Sequence, residues 1–261
     1  MILDGYRKGS GDFFPTLNLP LPAFSLHLEV VLNPAEIAQL PSRDLAAATC
    51  VVFDVLRATS SMITALAHGA IEICPVCSVD EAWRLKMQQP DAVLGGERHG
   101  DIIPGFDIGN SPSEYTGAQD RRIITTTTNG TVALRACAGA QCVLVGALLN
   151  LGAVAAVLRA RSPQAVFLVC AGTFDTFALE DAYAAGRLIA ELADASLSDA
   201  AHAAAAVAAR YPDAIEILLR ARNGQALVAA GRSADVEWCA QVSRYTVVGQ
   251  MEAAVIRPLV I

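Results

Sequence analysis

An α/β fold of three layers, with a mixed and largely parallel sheet between two layers of helices, is what this sequence predicts. Three observations carry that prediction. Continuous apolar, β-rich runs such as Thr49-Cys-Val-Val-Phe53 and Ala165-Val-Phe-Leu-Val-Cys170 suit strands covered on both faces. Each run ends in polar residues, Asp54 after the first and Gly172-Thr173 after the second. A segment of helical character then follows, and alternation of strands with helices defines the class.

In chain order, strands are expected near 26–32, 49–53, 71–76, 92–94, 121–124, 142–146, 165–170 and 245–248. Helices are expected over 60–68, 132–137 and 179–192, with His68 before Gly69 closing the first. Residues 193–210 are Ala-rich and helical by propensity. Pro212 opens a further helix through Arg220, and Asn223-Gly224 ends or turns it. Residues 193–222 therefore read as a helical subregion. No Pro/Ser-rich linker is present, so 25–261 reads as one α/β domain. Residues 1–24 read as an N-terminal extension, rich in Gly, Pro and aromatics and lacking the apolar core of a signal peptide.

Composition narrows the function. Apolar residues make up 54 % of the 261 and charged residues 17 %, which excludes a disordered chain. The balance of 19 Lys+Arg against 26 Asp+Glu gives a net charge of −7, with no dense basic run to hold nucleic acid. An acidic protein that handles an anion must concentrate positive charge locally. No stretch reaches the roughly 18 apolar residues of a membrane span. The seven cysteines are an odd number, and most lie in apolar runs. Cys74-Pro-Val-Cys77 has redox spacing but sits in an expected strand, where residues three apart face opposite sides. Structural thiols, a reducing compartment and a cytoplasmic location follow as expectations. The excess of small apolar residues is compatible with a homodimer.

Ligands of open α/β sheets gather beyond the C-terminal ends of strands. Three such ends are unusually polar here. Asp54-Val-Leu-Arg57-Ala-Thr59-Ser60 joins a carboxylate, an Arg and hydroxyls at a helix start, where backbone N–H groups favour phosphate; it also reads as an ordinary N-cap. Thr125 to Thr128, then Asn129-Gly130-Thr131, makes a second anion cradle or a Thr-rich strand with its cap. Gly172-Thr173-Phe-Asp175 leads to Glu180-Asp181, which suits a metal or simply the helix dipole. Between them, five glycines fall within the fifteen residues Gly95 to Gly109, alongside Glu97, Arg98, His99 and Asp107. Glu97 and Asp107 are hard oxygen donors of the kind magnesium takes.

Familiar signatures fail. Gly100-x4-Gly105 continues into Phe106 rather than Lys, so it is no phosphate loop. No Cys is followed by the Arg a cysteine phosphatase needs, and Asp54 lacks the second acid, two residues on, of the dehalogenase-type phosphatases. Arg98-His99-Gly100-Asp101-Ile102-Ile103-Pro104 approaches a histidine-phosphatase signature but has Ile102 in place of its second Arg.

The full set of segments resembles one family. Asp54-Val-Leu-Arg-Ala-Thr59, Gly96-Glu-Arg98, Gly105-Phe-Asp-Ile-Gly-Asn110-Ser111-Pro112 and Thr126-Thr-Thr-Asn-Gly-Thr131 are similar to the 2-phosphosulfolactate phosphatases. So are Ala171-Gly-Thr173, Leu179-Glu-Asp181 and Asp235-Val-Glu-Trp-Cys-Ala-Gln241, and the resemblance spans about residues 26–257. It implies magnesium-dependent hydrolysis of (2R)-2-phospho-3-sulfolactate to (2R)-3-sulfolactate and phosphate, a step towards coenzyme M. On this reading Asp54, Glu97 and Asp107, with Glu180 and Asp181 as second candidates, hold magnesium. Asp54, Arg57, Glu97 and Arg98 act on the phosphoryl group. Thr59, Ser60, Asn110, Ser111, Thr128, Asn129, Gly130 and Thr131 bind the small phosphorylated acid. Two rivals remain at this point, a non-catalytic binder of phosphorylated metabolites and a phosphohistidine-type acid phosphatase.

Overall fold

The structure, a computed structural model, describes residues 26–192 and 194–259. The expected N-terminal extension at 1–24 lies outside the described residues. The chain opens with β1 (His27–Val31), α1 (Pro34–Ile37), β2 (Ala48–Phe53), α2 (Ala58–Ala67), β3 (Glu72–Pro75) and α3 (Val79–Gln88). The glycine-rich stretch forms β4 (Val93–Arg98) and the short β5 (Asp101–Ile102). Next come β6 (Arg122–Thr126), α4 (Gly130–Ala136), β7 (Cys142–Gly146), α5 (Leu151–Arg161), β8 (Ala165–Cys170) and α6 (Leu179–Glu191). After β9 (Ser196–Leu197), four helices follow in succession: α7 (Asp199–Arg210), α8 (Ala214–Arg220), α9 (Arg222–Ala229) and α10 (Ser233–Cys239). A hairpin, β10 (Gly249–Glu252) and β11 (Val255–Pro258), completes the set.

The strands form one mixed sheet in the order β5-β4-β6-β3-β11-β10-β7-β2-β8-β1-β9. Two groups are internally parallel: β7, β2, β8, β1 and β9 on one side, and β3, β6 and β4 on the other. The hairpin joins them, because β10 runs antiparallel to β7 and β11 antiparallel to β3. The two groups consequently run in opposite senses.

Helices cover both sides of the sheet. Side chains alternate along β2: Val51 and Phe53 enter one core with α5, α6 and α7, while Cys50 and Val52 enter a second with α2 and α4. The second core also takes Ile73 of β3 and Ile123 of β6, so both strand groups share it. A third core, Cys74, Leu94 and Ile124, packs under Ala82 of α3. All seven cysteines are free, and six of them are buried; Cys74 lies in β3 and is buried, while Cys77 lies beyond the end of that strand and is exposed. No helix of the described residues is long and apolar enough to cross a membrane.

Three expected elements are corrected. Residues 245–248 form no strand; pairing begins at Gly249. The helix expected from 193 starts at Asp199, because β9 intervenes and the Ser198 hydroxyl accepts from the Ala201 N–H as its cap. Asn223-Gly224 does not end a helix but lies inside α9. Gly224 is there for packing: a Cβ on it would sit 1.8 Å from the Leu218 carbonyl oxygen.

Candidate active site

The ends of β2, β4, β6 and β8 meet at a cleft of about 380 Å³, which α9 covers with Arg222, Asn223, Ala226 and Leu227. Asp54 follows β2. Its Oδ1 accepts the Ala58 N–H at 3.1 Å, so the carboxylate itself takes the start of α2. Its Oδ2 lies against Gly130 at the start of α4, where a Cβ would come within 2.6 Å. Only glycine permits that approach.

Glu97 ends β4 and organises two loops at once. Its Oε1 accepts the Thr128 N–H at 2.7 Å, and its Oε2 accepts the Gly100 N–H at 2.7 Å. Asp54 and Glu97 both line the cleft, and neither makes an ion pair among the described residues. Burial raises the Asp54 carboxyl to about 7, and the neighbouring charges of Glu97 and Glu180 push in the same direction. Two acids thus face one cavity with too little positive charge between them.

Guanidinium groups supply the other sign. Arg57 is buried; it donates to Asp235 Oδ2 at 2.6 Å and to the Gly100 carbonyl at 2.9 Å. Arg232 donates to the same carbonyl and reaches Asp101 Oδ1 at 3.2 Å. Arg222 lies over the Phe174 ring, 5.8 Å from its centroid, and Phe174 stacks on His99 at 5.7 Å. Asn129 ties the end of β6 to the end of β8, donating to the Ala171 and Phe174 carbonyls at 3.1 and 2.9 Å.

Of the residues singled out from sequence, Asp54, Arg57, Glu97, Asn110, Thr128 and Asn129 line the cleft, with Gly130 directly behind Asp54. Others are turned to scaffolding. The Thr59 hydroxyl donates to the Asp54 carbonyl, Ser60 to the Val55 carbonyl and Thr131 to the Thr127 carbonyl, and all three are fully buried. Ser111 bonds Asp235 at the back of Arg57. Arg98 does not line the cleft and donates to Thr126 Oγ1 at 2.8 Å.

Three carboxylates of the expected metal set do not line the cleft. Asp107 accepts the Leu94 N–H at 2.8 Å and lines a separate cavity with Lys86, so the structure does not bring it to Asp54 or Glu97. Asp181 spends its oxygens on the Val55 and Gly172 N–H groups, at 2.8 and 3.1 Å, clamping the β2 and β8 turns together. Burial, then Glu180 and Asp54, push its carboxyl well above the ordinary range. Glu180 is buried and accepts from the Asn223 side chain. Among the described residues, no three His, Cys, Asp or Glu side chains form a metal cluster.

Sequence reasoning missed Arg222, Asn223 and Arg232 as cleft residues and gave Asp235 no chemical role. The visible signal was the Asp235-Val-Glu-Trp segment, which the family resemblance includes.

Uncompensated acids and forked cations at strand ends, under a helical cover, equip an α/β enzyme for a small anion. Comparison with known proteins gives the class its content. Residues 35–254 match the family model of 2-phosphosulpholactate phosphatase. A probable 2-phosphosulfolactate phosphatase of Carboxydothermus hydrogenoformans is 44 % identical over 201 residues, covering 76 % of this chain and 84 % of its own. Proteins with the same description from Symbiobacterium thermophilum and Deinococcus radiodurans are 42 % and 41 % identical; they cover 79 % and 74 % of this chain and 92 % and 82 % of their own. The chain belongs to the 2-phosphosulfolactate phosphatase family and is a phosphatase of small phosphorylated substrates, a phosphoric monoester hydrolase.

Proposed function

We propose that this phosphatase hydrolyses the phosphate monoester of a 2-hydroxy acid, (2R)-2-phospho-3-sulfolactate, to (2R)-3-sulfolactate and phosphate, with magnesium as cofactor. The observation that carries the proposal is the unpaired Asp54–Glu97 pair facing the same cleft as three guanidinium groups. Two crowded carboxylates without a cationic partner fit a divalent cation, and magnesium needs only one or two of them beside water. Asp54 and Glu97 would hold it, and when bound it supplies charge neutralisation and polarisation of phosphoryl oxygens.

The chain's own groups do the rest. Arg57 has its fork anchored by Asp235, so it presents its remaining N–H groups to phosphoryl oxygens without reorganising. Of the two cleft carboxylates, one would position the attacking water and take its proton. Glu97 fixes the Gly100 and Thr128 backbones, which set the cleft walls. α9 excludes bulk water from one side.

The test is phosphate release from (2R)-2-phospho-3-sulfolactate, with and without magnesium, for the wild type and for Asp54→Asn and Glu97→Gln. Release that needs magnesium, and falls by about 100-fold or more in either variant, is expected. A folded wild-type protein that releases no phosphate from this or any phosphorylated 2-hydroxy acid would overturn the proposal.

A further inference from the structure

We infer that Arg222 is the residue that reads the acid arm of the substrate, the sulfonate or carboxylate remote from the phosphate. The inference rests on the phosphatase reading above and adds a selectivity determinant to it.

Charge accounting in the cleft singles Arg222 out. Three guanidinium groups line it. Arg57 is neutralised by Asp235 at 2.6 Å and Arg232 by Asp101 at 3.2 Å. Arg222 makes no ion pair among the described residues. Its charge is therefore available to a ligand that carries more negative charge than the phosphoryl end uses.

Position supports the same conclusion. Arg222 is the first residue of α9, where the helix dipole favours an anion and a cation has the unfavourable sign. A stability argument would not put Arg there, whereas a ligand anion at that point satisfies both the guanidinium and the helix end. The side chain is exposed, with an aromatic face beside it. It lies over Phe174, whose ring stacks on His99, and the Asn223 amide beside it is held by Thr173 Oγ1 at 2.6 Å and Glu180 Oε1 at 2.5 Å. The Phe174 backbone is in turn tied to Asn129, which joins the arm-reading end to the phosphoryl end. A planar fork over an aromatic face suits an oxyanion with two or three equivalent oxygens.

The experiment compares three esters that differ only in the arms on the phosphorylated carbon, using the full chain with magnesium. They are 2-phospho-3-sulfolactate with two acid arms, 2-phospholactate with one, and isopropyl phosphate with none. For Arg222→Gln, the ratio of kcat/KM for 2-phospho-3-sulfolactate over that for isopropyl phosphate is expected to fall about tenfold or more, through KM rather than kcat. Arg222→Lys should recover part of the loss, and the Tm of Arg222→Gln should equal or exceed that of the wild type. Binding of 3-sulfolactate, followed by calorimetry, should weaken by a similar factor, which keeps the inference testable without turnover. An unchanged selectivity ratio, or an equal loss on all three esters, would overturn the role of Arg222 while leaving the phosphatase reading intact. A wild type that binds 3-sulfolactate yet hydrolyses none of the esters would sink the phosphatase reading instead.

Discussion

Asp54 shows how one carboxyl couples stability to pH. In the fold its carboxyl is pushed up to about 7 from the ordinary 3.8, chiefly because the half-buried group is stripped of water. The protonated form therefore favours the native state. That contribution is complete below about pH 3.8 and is lost as the pH rises through about 7. Asp54→Asn, which cannot ionise, should stabilise the metal-free protein at pH 8 by an amount on the order of 2–4 kcal/mol and change little at pH 4. Thermal melts at the two pH values would check this, and equal shifts at both would contradict it. Magnesium should raise the wild-type Tm at pH 8 and leave that of the variant nearly unmoved. A second residue-scale prediction concerns Arg57. Its side chain is 4 % exposed, so Asp235→Ala leaves a buried guanidinium without its counter-charge. We expect a loss of about 3–5 kcal/mol in urea denaturation. At this scale the acids at the ends of β2 and β4 were legible as cleft residues, because ligands of open sheets gather at strand ends. Thr59, Ser60 and Thr131 were not. Whether a hydroxyl bonds its own backbone or a ligand depends on its rotamer, which residue type does not fix.

Among elements, the packing of α6 on α7 depends on one position. A Cβ on Gly186 would lie 2.0 Å from the Ala204 carbonyl oxygen, so the helices approach at backbone distance. Gly186→Ala should force them apart and cost about 1–3 kcal/mol, visible as a lower Tm, although Ala is the better helix former. Strands and early helices were readable from apolar runs and the polar turns after them. The helical cover was less so. Asn223-Gly224 has the composition of a helix stop, yet Gly224 answers a contact with Leu218 in another helix. Asp107 was misplaced for a similar reason: its partner, the Leu94 N–H, lies thirteen residues away across a loop whose path local sequence does not encode.

At the scale of the whole molecule, both parallel groups were visible as buried strands, but their opposite senses were not. Pairing order is a property of long-range contacts, and a strand's composition is the same whichever way its neighbour runs. Glu72 of β3 bears on this junction. It takes Arg122 of β6 at 3.1 Å and Arg257 of β11 at 2.6 Å, binding three strands with one carboxylate. Both Arg side chains are more than half exposed, so Glu72→Ala should cost only about 1–2 kcal/mol globally. Its larger effect should be local, as faster amide exchange in β11 than in β7, and uniform exchange would argue against the tie.

The hairpin at 249–258 has a temporal consequence. Every strand that it separates precedes it in the chain, so until the hairpin pairs, β7 and β3 each present an unpaired edge. The latch that makes the sheet continuous thus also covers two edges that would otherwise invite pairing with another copy.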